Sequence, residues 1–172
     1  MFLVRADYVL SPLHLLMAIS RKSTGTLFVT LLIAAFVLNW TWEMLQMFAY
    51  AGMKDAPWTK TIVLCSVASL GDVGITVIVF VTVALAAGTL SWAWDFKWHS
   101  YTAAALIATC YSTLTELWGL ASGTWAYTAN MIVVPVLNVG LWPFLQLMLL
   151  VPLAIWIAAL ISQRFDESLT SE

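Results

Sequence analysis

Three carboxylates, Glu43, Asp72 and Glu116, stand inside long apolar stretches of the chain. An ionisable group in hydrocarbon costs several kcal/mol unless it is paired or hydrated, so each is a candidate functional residue. Each also belongs to a polar stripe at helical spacing. Asn39, Glu43, Gln46 and Tyr50 follow one face of a first helix; Cys65, Ser69, Asp72 and Thr76 follow a second. Thr109, Ser112 and Glu116 mark a third, and Asn138, Trp142 and Gln146 repeat every four residues in a fourth. One polar face per helix implies a shared polar interior. Three carboxylates around one cavity cannot all ionise cheaply, so at least one stays protonated near neutral pH. A neutral carboxylic acid beside an ionised one is the pairing that general acid–base chemistry needs.

The elements that must carry these groups follow from composition. The 172 residues are 62% hydrophobic and 9% charged, with a mean hydropathy of +0.93. A soluble domain is about a quarter charged, so these values exclude a soluble globular protein, a disordered tail and a nucleic-acid binder. The expected class is an all-α integral membrane protein. A span needs about 20 apolar residues, and four stretches qualify: 27–50, 61–87, 101–121 and 131–161. Pro135, Gly140, Pro143 and Pro152 interrupt the last, which predicts a Pro-broken helix whose first part, 131–145, is either re-entrant or the beginning of the span. At 1.5 Å per residue Glu43 lies about 10 Å inside the outer helix end, Asp72 about 16 Å, Glu116 about 8 Å and Asn138 about 10 Å. Alternating helices then bring all four into the outer half of the bilayer.

Residues 1–22 read as an interfacial amphipathic segment, 23–164 as the four-span bundle and 165–172 as a polar cytoplasmic tail. A signal peptide fits less well, since Arg21-Lys22 follows the apolar part where small cleavage-site residues would be needed. With both termini cytoplasmic, Arg5, Arg21, Lys22, Lys97 and Arg164 fall inside and Lys54 and Lys60 outside, as the positive-inside rule requires. The Trp-rich loop 91–99 is then expected as an aromatic belt, with His99 beside Asp95 as an alternative proton relay. Cys65 and Cys110 read as small buried hydrophobes, and Gly71 and Gly74 as helix-packing positions. No CxxC, HExxH, Gly-rich phosphate loop or internal repeat is present, so neither a metal nor another cofactor is expected.

The segment from Glu116 through Gly119, Gly123, Trp125, Tyr127 and Thr128 to Pro135 resembles a stretch of membrane carotenoid-biosynthesis proteins, the carotenoid hydratases and the lycopene-cyclase-like domains. There a Glu near a helix end precedes spaced glycines, an aromatic-x-Tyr-Thr turn and a Pro-containing apolar helix. Four spans, buried carboxylates and Pro57-Trp58-x-Lys60 are in turn similar to the family of the emopamil-binding protein and the sigma-2 receptor. Both resemblances imply a polyene or sterol-like substrate and proton chemistry at a carbon–carbon double bond, with Glu116 in the position of the first family's Glu.

The resulting expectation is a small membrane enzyme performing hydration, isomerisation or cyclisation of an isoprenoid lipid. Glu116, Asp72 and Glu43 are the catalytic candidates. Gln46, Asn39, Asn138, Trp142, Gln146, Trp125 and Tyr127 are the substrate-binding ones. Two alternatives stay open. One is a non-catalytic subunit or homo-oligomer whose carboxylates meet a partner's cations, since no Lys or Arg lies in any predicted span. The other is a small proton-coupled carrier.

Overall fold

The computed structural model describes residues 12–53 and 55–170. Four long helices dominate: α1 (Pro12–Gln46), α2 (Trp58–Ala87), α3 (Trp98–Ala121) and α4 (Leu141–Thr170). Two short strands, β1 (Val133–Val134) and β2 (Val139–Gly140), pair antiparallel between α3 and α4. Three helical stretches, Thr24–Ala49, Trp58–Ala87 and Leu141–Phe165, are long and apolar enough to cross a membrane, which is the length and hydropathy of an integral membrane protein.

Local chemistry accounts for the helix ends. Pro12 is the first described residue of α1, and no proline follows it within the helix. Pro57 immediately precedes α2, and Gly88 ends it in the left-handed conformation (φ 70°), its N–H returning to the Ala84 and Leu85 carbonyls. Residues 12–22 of the expected interfacial segment form the first turns of α1, while residues 1–11 lie outside the described residues, as does Lys54. The expected tail is helical as far as Thr170.

Two expectations about the last stretch are corrected. The helix begins at Leu141, because residues 131–140 fold into the β1–β2 hairpin, and it passes through Pro152 as one continuous helix. In lipid a proline's lost hydrogen bond is tolerated where neighbouring helices pack against the site, and Val151 and Ala154 beside it are fully buried.

α1 lies against α2 and α4, α3 against α4 and α2, and α2 also touches α4. α3 presents Ser100, Ala104, Ala108, Ser112, Glu116 and Gly119 to the interior at three- and four-residue spacing. These small side chains let the backbones approach closely, as membrane helix interfaces require. One end of the bundle is apolar, with Leu27, Leu31, Phe80, Ala108 and Ile155 in its core. That end is closed by the segment Leu90–Asp95, whose Trp92 is 2% exposed and donates from Nε1 to the Phe80 carbonyl at 3.3 Å. Trp94 likewise donates to Ser162 Oγ at 2.8 Å. The expected belt is therefore partly a plug: Trp92 and Trp94 turn inward to satisfy their N–H groups, and Trp98 stays 77% exposed. Asp95 pairs with Lys97 at 2.9 Å, so the His99–Asp95 relay is not formed.

Gly71 and Gly74 are exposed, and a Cβ added at either meets nothing within 4 Å, which corrects their assignment to helix packing. Cys65 is buried as expected, but Cys110 is exposed.

Candidate functional site

The polar residues collect toward the opposite end, where the α1–α2 loop and the hairpin segment meet. Gln146 on α4 is the centre of a first network. Its Nε2 donates toward Asn39 Oδ1 at 3.1 Å, Glu43 Oε1 at 3.0 Å and Asp72 Oδ2 at 2.9 Å. Its Oε1 accepts from Gln46 Nε2 at 2.8 Å, and the same Gln46 nitrogen reaches Glu43 Oε1 at 3.0 Å. Trp42 closes the rim, donating from Nε1 to Gln46 Oε1 at 3.1 Å and to the Trp142 carbonyl at 3.2 Å. Four- and three-residue spacing on α1 explains why Asn39, Glu43 and Gln46 arrive together. Asp72 comes from α2 and Gln146 from α4, so three helices share one amide.

Hydrogen counting constrains this set. An amide nitrogen carries two hydrogens: those of Gln146 serve Asn39 and Asp72, and those of Gln46 serve Glu43 and the Gln146 oxygen, so four hydrogens meet four acceptors. The Gln46 contact fixes which Gln146 atom is oxygen.

Glu116 anchors a second network. It is 6% exposed and accepts from Tyr50 Oη at 3.1 Å on one oxygen. Its other oxygen accepts from Trp125 Nε1 at 3.3 Å and makes a short hydrogen bond with Tyr127 Oη. Tyr127 Oη in turn accepts from the Gly140 N–H at 2.8 Å. Burial, and after it the hydrogen bond to Glu116, push the Tyr127 phenol above its ordinary value, so it remains a protonated donor. The phenols are placed by backbone pairing of two loops: Ala51 N donates to the Ala126 carbonyl at 2.8 Å and Thr128 N to the Ala49 carbonyl at 2.9 Å. Gly119 is indispensable to this arrangement, because a Cβ there would sit 2.0 Å from the Trp125 ring.

Glu43 and Asp72 meet on the one Gln146 nitrogen, at 3.0 and 2.9 Å. Among the described residues none of the three carboxyls has a cationic partner, and the ion pair Lys97–Asp95 lies beyond the other end of the bundle. Among the described residues no buried side-chain N or O lacks a hydrogen-bond partner, and no group of three metal-ligating side chains forms. An open apolar groove of about 300 Å³ lies along Val81, Ala84, Leu85 and Gly88. It is about 20 Å along α2 from Asp72, too far to serve these carboxyls.

Of the sequence candidates, Asn39, Glu43, Gln46, Asp72 and Gln146 therefore form one set and Glu116, Trp125 and Tyr127 a second. Trp142 contributes its carbonyl, and its ring meets Trp42 and Phe48 edgewise, each centroid 6.4 Å away. Asn138 is the exception. It sits exposed in the hairpin turn with φ 56°, because the stretch expected to be helical is a hairpin there. Tyr50 stands in the first polar stripe but is not one of the site candidates, and Trp42, an aromatic expected near the carboxylate layer, joins the first network. Ser112 also gains a role, donating to the Pro143 carbonyl at 2.6 Å and tying α3 to the first turn of α4. No protein family, no curated protein and no solved structure matches this chain.

Proposed function

We propose that the chain is a four-span membrane enzyme performing acid–base chemistry at a double bond of a lipophilic isoprenoid. The observation that carries this reading is the meeting of two carboxyls, Glu43 and Asp72, on the one Gln146 nitrogen at 3.0 and 2.9 Å, with no cation beside them. Two carboxyls held on one uncharged amide favour a proton on one of them, Glu43 or Asp72, and such a proton is available for transfer to an alkene carbon. Glu116, tied to two phenols and an indole, is the group that receives a proton from the adjacent carbon in an isomerisation, or from water in a hydration. The faces of Trp42 and Trp142 would stabilise the intervening carbocation. Gln46, Asn39 and Gln146 hold the acid in place. The resemblance to carotenoid and sterol-isomerising membrane proteins supports the substrate class.

α3 is the fourth span in this reading. Trp98 and Trp118 are 77% and 64% exposed, and twenty residues of helix separate them by about 30 Å, the thickness of the hydrocarbon core. Cysteines at Asp95 and Thr124 should accordingly be labelled from opposite sides of a sealed membrane. An even number of spans places both termini on one face, and the basic-residue count makes that face cytoplasmic.

The test is solvent extraction of gently purified protein, followed by absorption and mass spectrometry, and then conversion assays with Glu116→Gln. An enriched polyene or sterol-like lipid, with conversion abolished and folded yield retained, is the expected result. Bulk phospholipid with a co-purifying protein would refute it. A second reading, a non-catalytic bundle held together by these groups, is favoured by the complete pairing of buried polar atoms.

A further inference from the structure

We propose that the β1–β2 hairpin is a membrane-interface anchor whose tip rests among lipid headgroups and the first acyl carbons. The hairpin is held firmly at its base. Met131 and Val139 are buried, Leu141 N donates to the Ile132 carbonyl at 2.7 Å, and Gly140 N donates to Tyr127 Oη. From that base it projects mainly apolar bulk, with Asn138 the exposed polar residue at the foot of the turn: Ile132 is 57% exposed, Val133 43%, Val136 93% and Leu137 38%. Val136 adopts φ 73°, a conformation that is costly for a β-branched residue and persists only where the surroundings hold it.

Lipid is the occupant for three reasons. No charged residue occurs anywhere from 117 to 163, so the hairpin continues the uncharged lipid-facing surface of α3 and α4. The other loop at the same end, residues 51–57, carries both Lys54 and Asp55 and marks the aqueous side. Exposed Trp58 and Trp118, at the helix ends flanking these loops, stand where indoles mark the interface. The backbone sets the depth: a two-stranded hairpin keeps free edge groups, which hydrocarbon forbids and the hydrated headgroup layer accepts. This placement does not depend on the catalytic reading.

The test is nitroxide accessibility in phosphatidylcholine vesicles, with Cys65 and Cys110 replaced by alanine and a spin label at Val136→Cys or, separately, Ile132→Cys. The label at either position should relax more with dissolved oxygen than with a water-soluble nickel chelate, whereas one at Asp55→Cys should show the reverse. Hairpin labels that respond like residue 55 would overturn the proposal. So would labels shielded from both reagents, which would mean that protein covers the tip.

Discussion

Replacing Gln146 by leucine tests whether the polar layer is one connected structure. The substitution removes contacts to Asn39, Glu43 and Asp72 and the acceptor of Gln46. At about 0.6 kcal/mol for each hydrogen bond inside a membrane, four contacts amount to about 2.4 kcal/mol. The losses are unequal, however. Glu43 keeps Gln46, but Asn39 keeps only its Nδ2 bond to the Ala35 carbonyl and loses the donor to its Oδ1, and Asp72 Oδ2 loses Gln146 as well. A stranded buried polar group costs about 1–3 kcal/mol, so two bring the expected total to at least about 4 kcal/mol. Reversible unfolding in mixed micelles, followed by circular dichroism, measures this. Thr82→Val is the reference, since Thr82 is exposed and bonds only to its own helix at Ile78. It should change stability by less than about 0.5 kcal/mol. Adding Asp72→Leu to Gln146→Leu should recover part of the loss, because the Asp72 carboxyl is then no longer stranded. A Gln146→Leu cost no larger than that of Thr82→Val would refute the reasoning, and the network would then be an accident of proximity.

Two further outcomes follow from the same geometry. Gly119→Ala should destabilise by about 1–3 kcal/mol and shift the Trp emission, because the added methyl displaces the Trp125 indole; Gly71→Ala, with open space around it, should be neutral or stabilising by up to about 1 kcal/mol in the same assay. Tyr127 has a phenol raised by burial and by Glu116, so its contribution to stability is complete below the ordinary phenol value of about 10 and drains away as pH rises above it. Tyr101, another part-buried phenol, contributes in the same sense, so Tyr127→Phe should lessen the alkaline slope in unfolding midpoints measured from pH 8 to 11, and an unchanged slope would place the loss elsewhere.

Composition and periodicity alone were enough to indicate a helical membrane protein and to show that its ionisable groups cluster. Helical spacing put Asn39, Glu43 and Gln46 on one face, and depth counting put Asp72 and Glu116 near them, since rise per residue is nearly constant in any span. Tertiary structure decided the pairing. Nothing local distinguishes Gln146 from other polar residues as the shared amide, because its three acceptors lie 74 to 107 residues away. Nor does Glu116 declare its phenols, which two loops deliver by pairing at Ala51 and Thr128. The hairpin escaped prediction for the same reason. Residues 131–140 are as apolar as a span, and what makes them strands is antiparallel pairing across Pro135–Asn138, a contact that hydropathy does not encode. Local periodicity reports which side of an element is polar; only packing decides which polar groups meet.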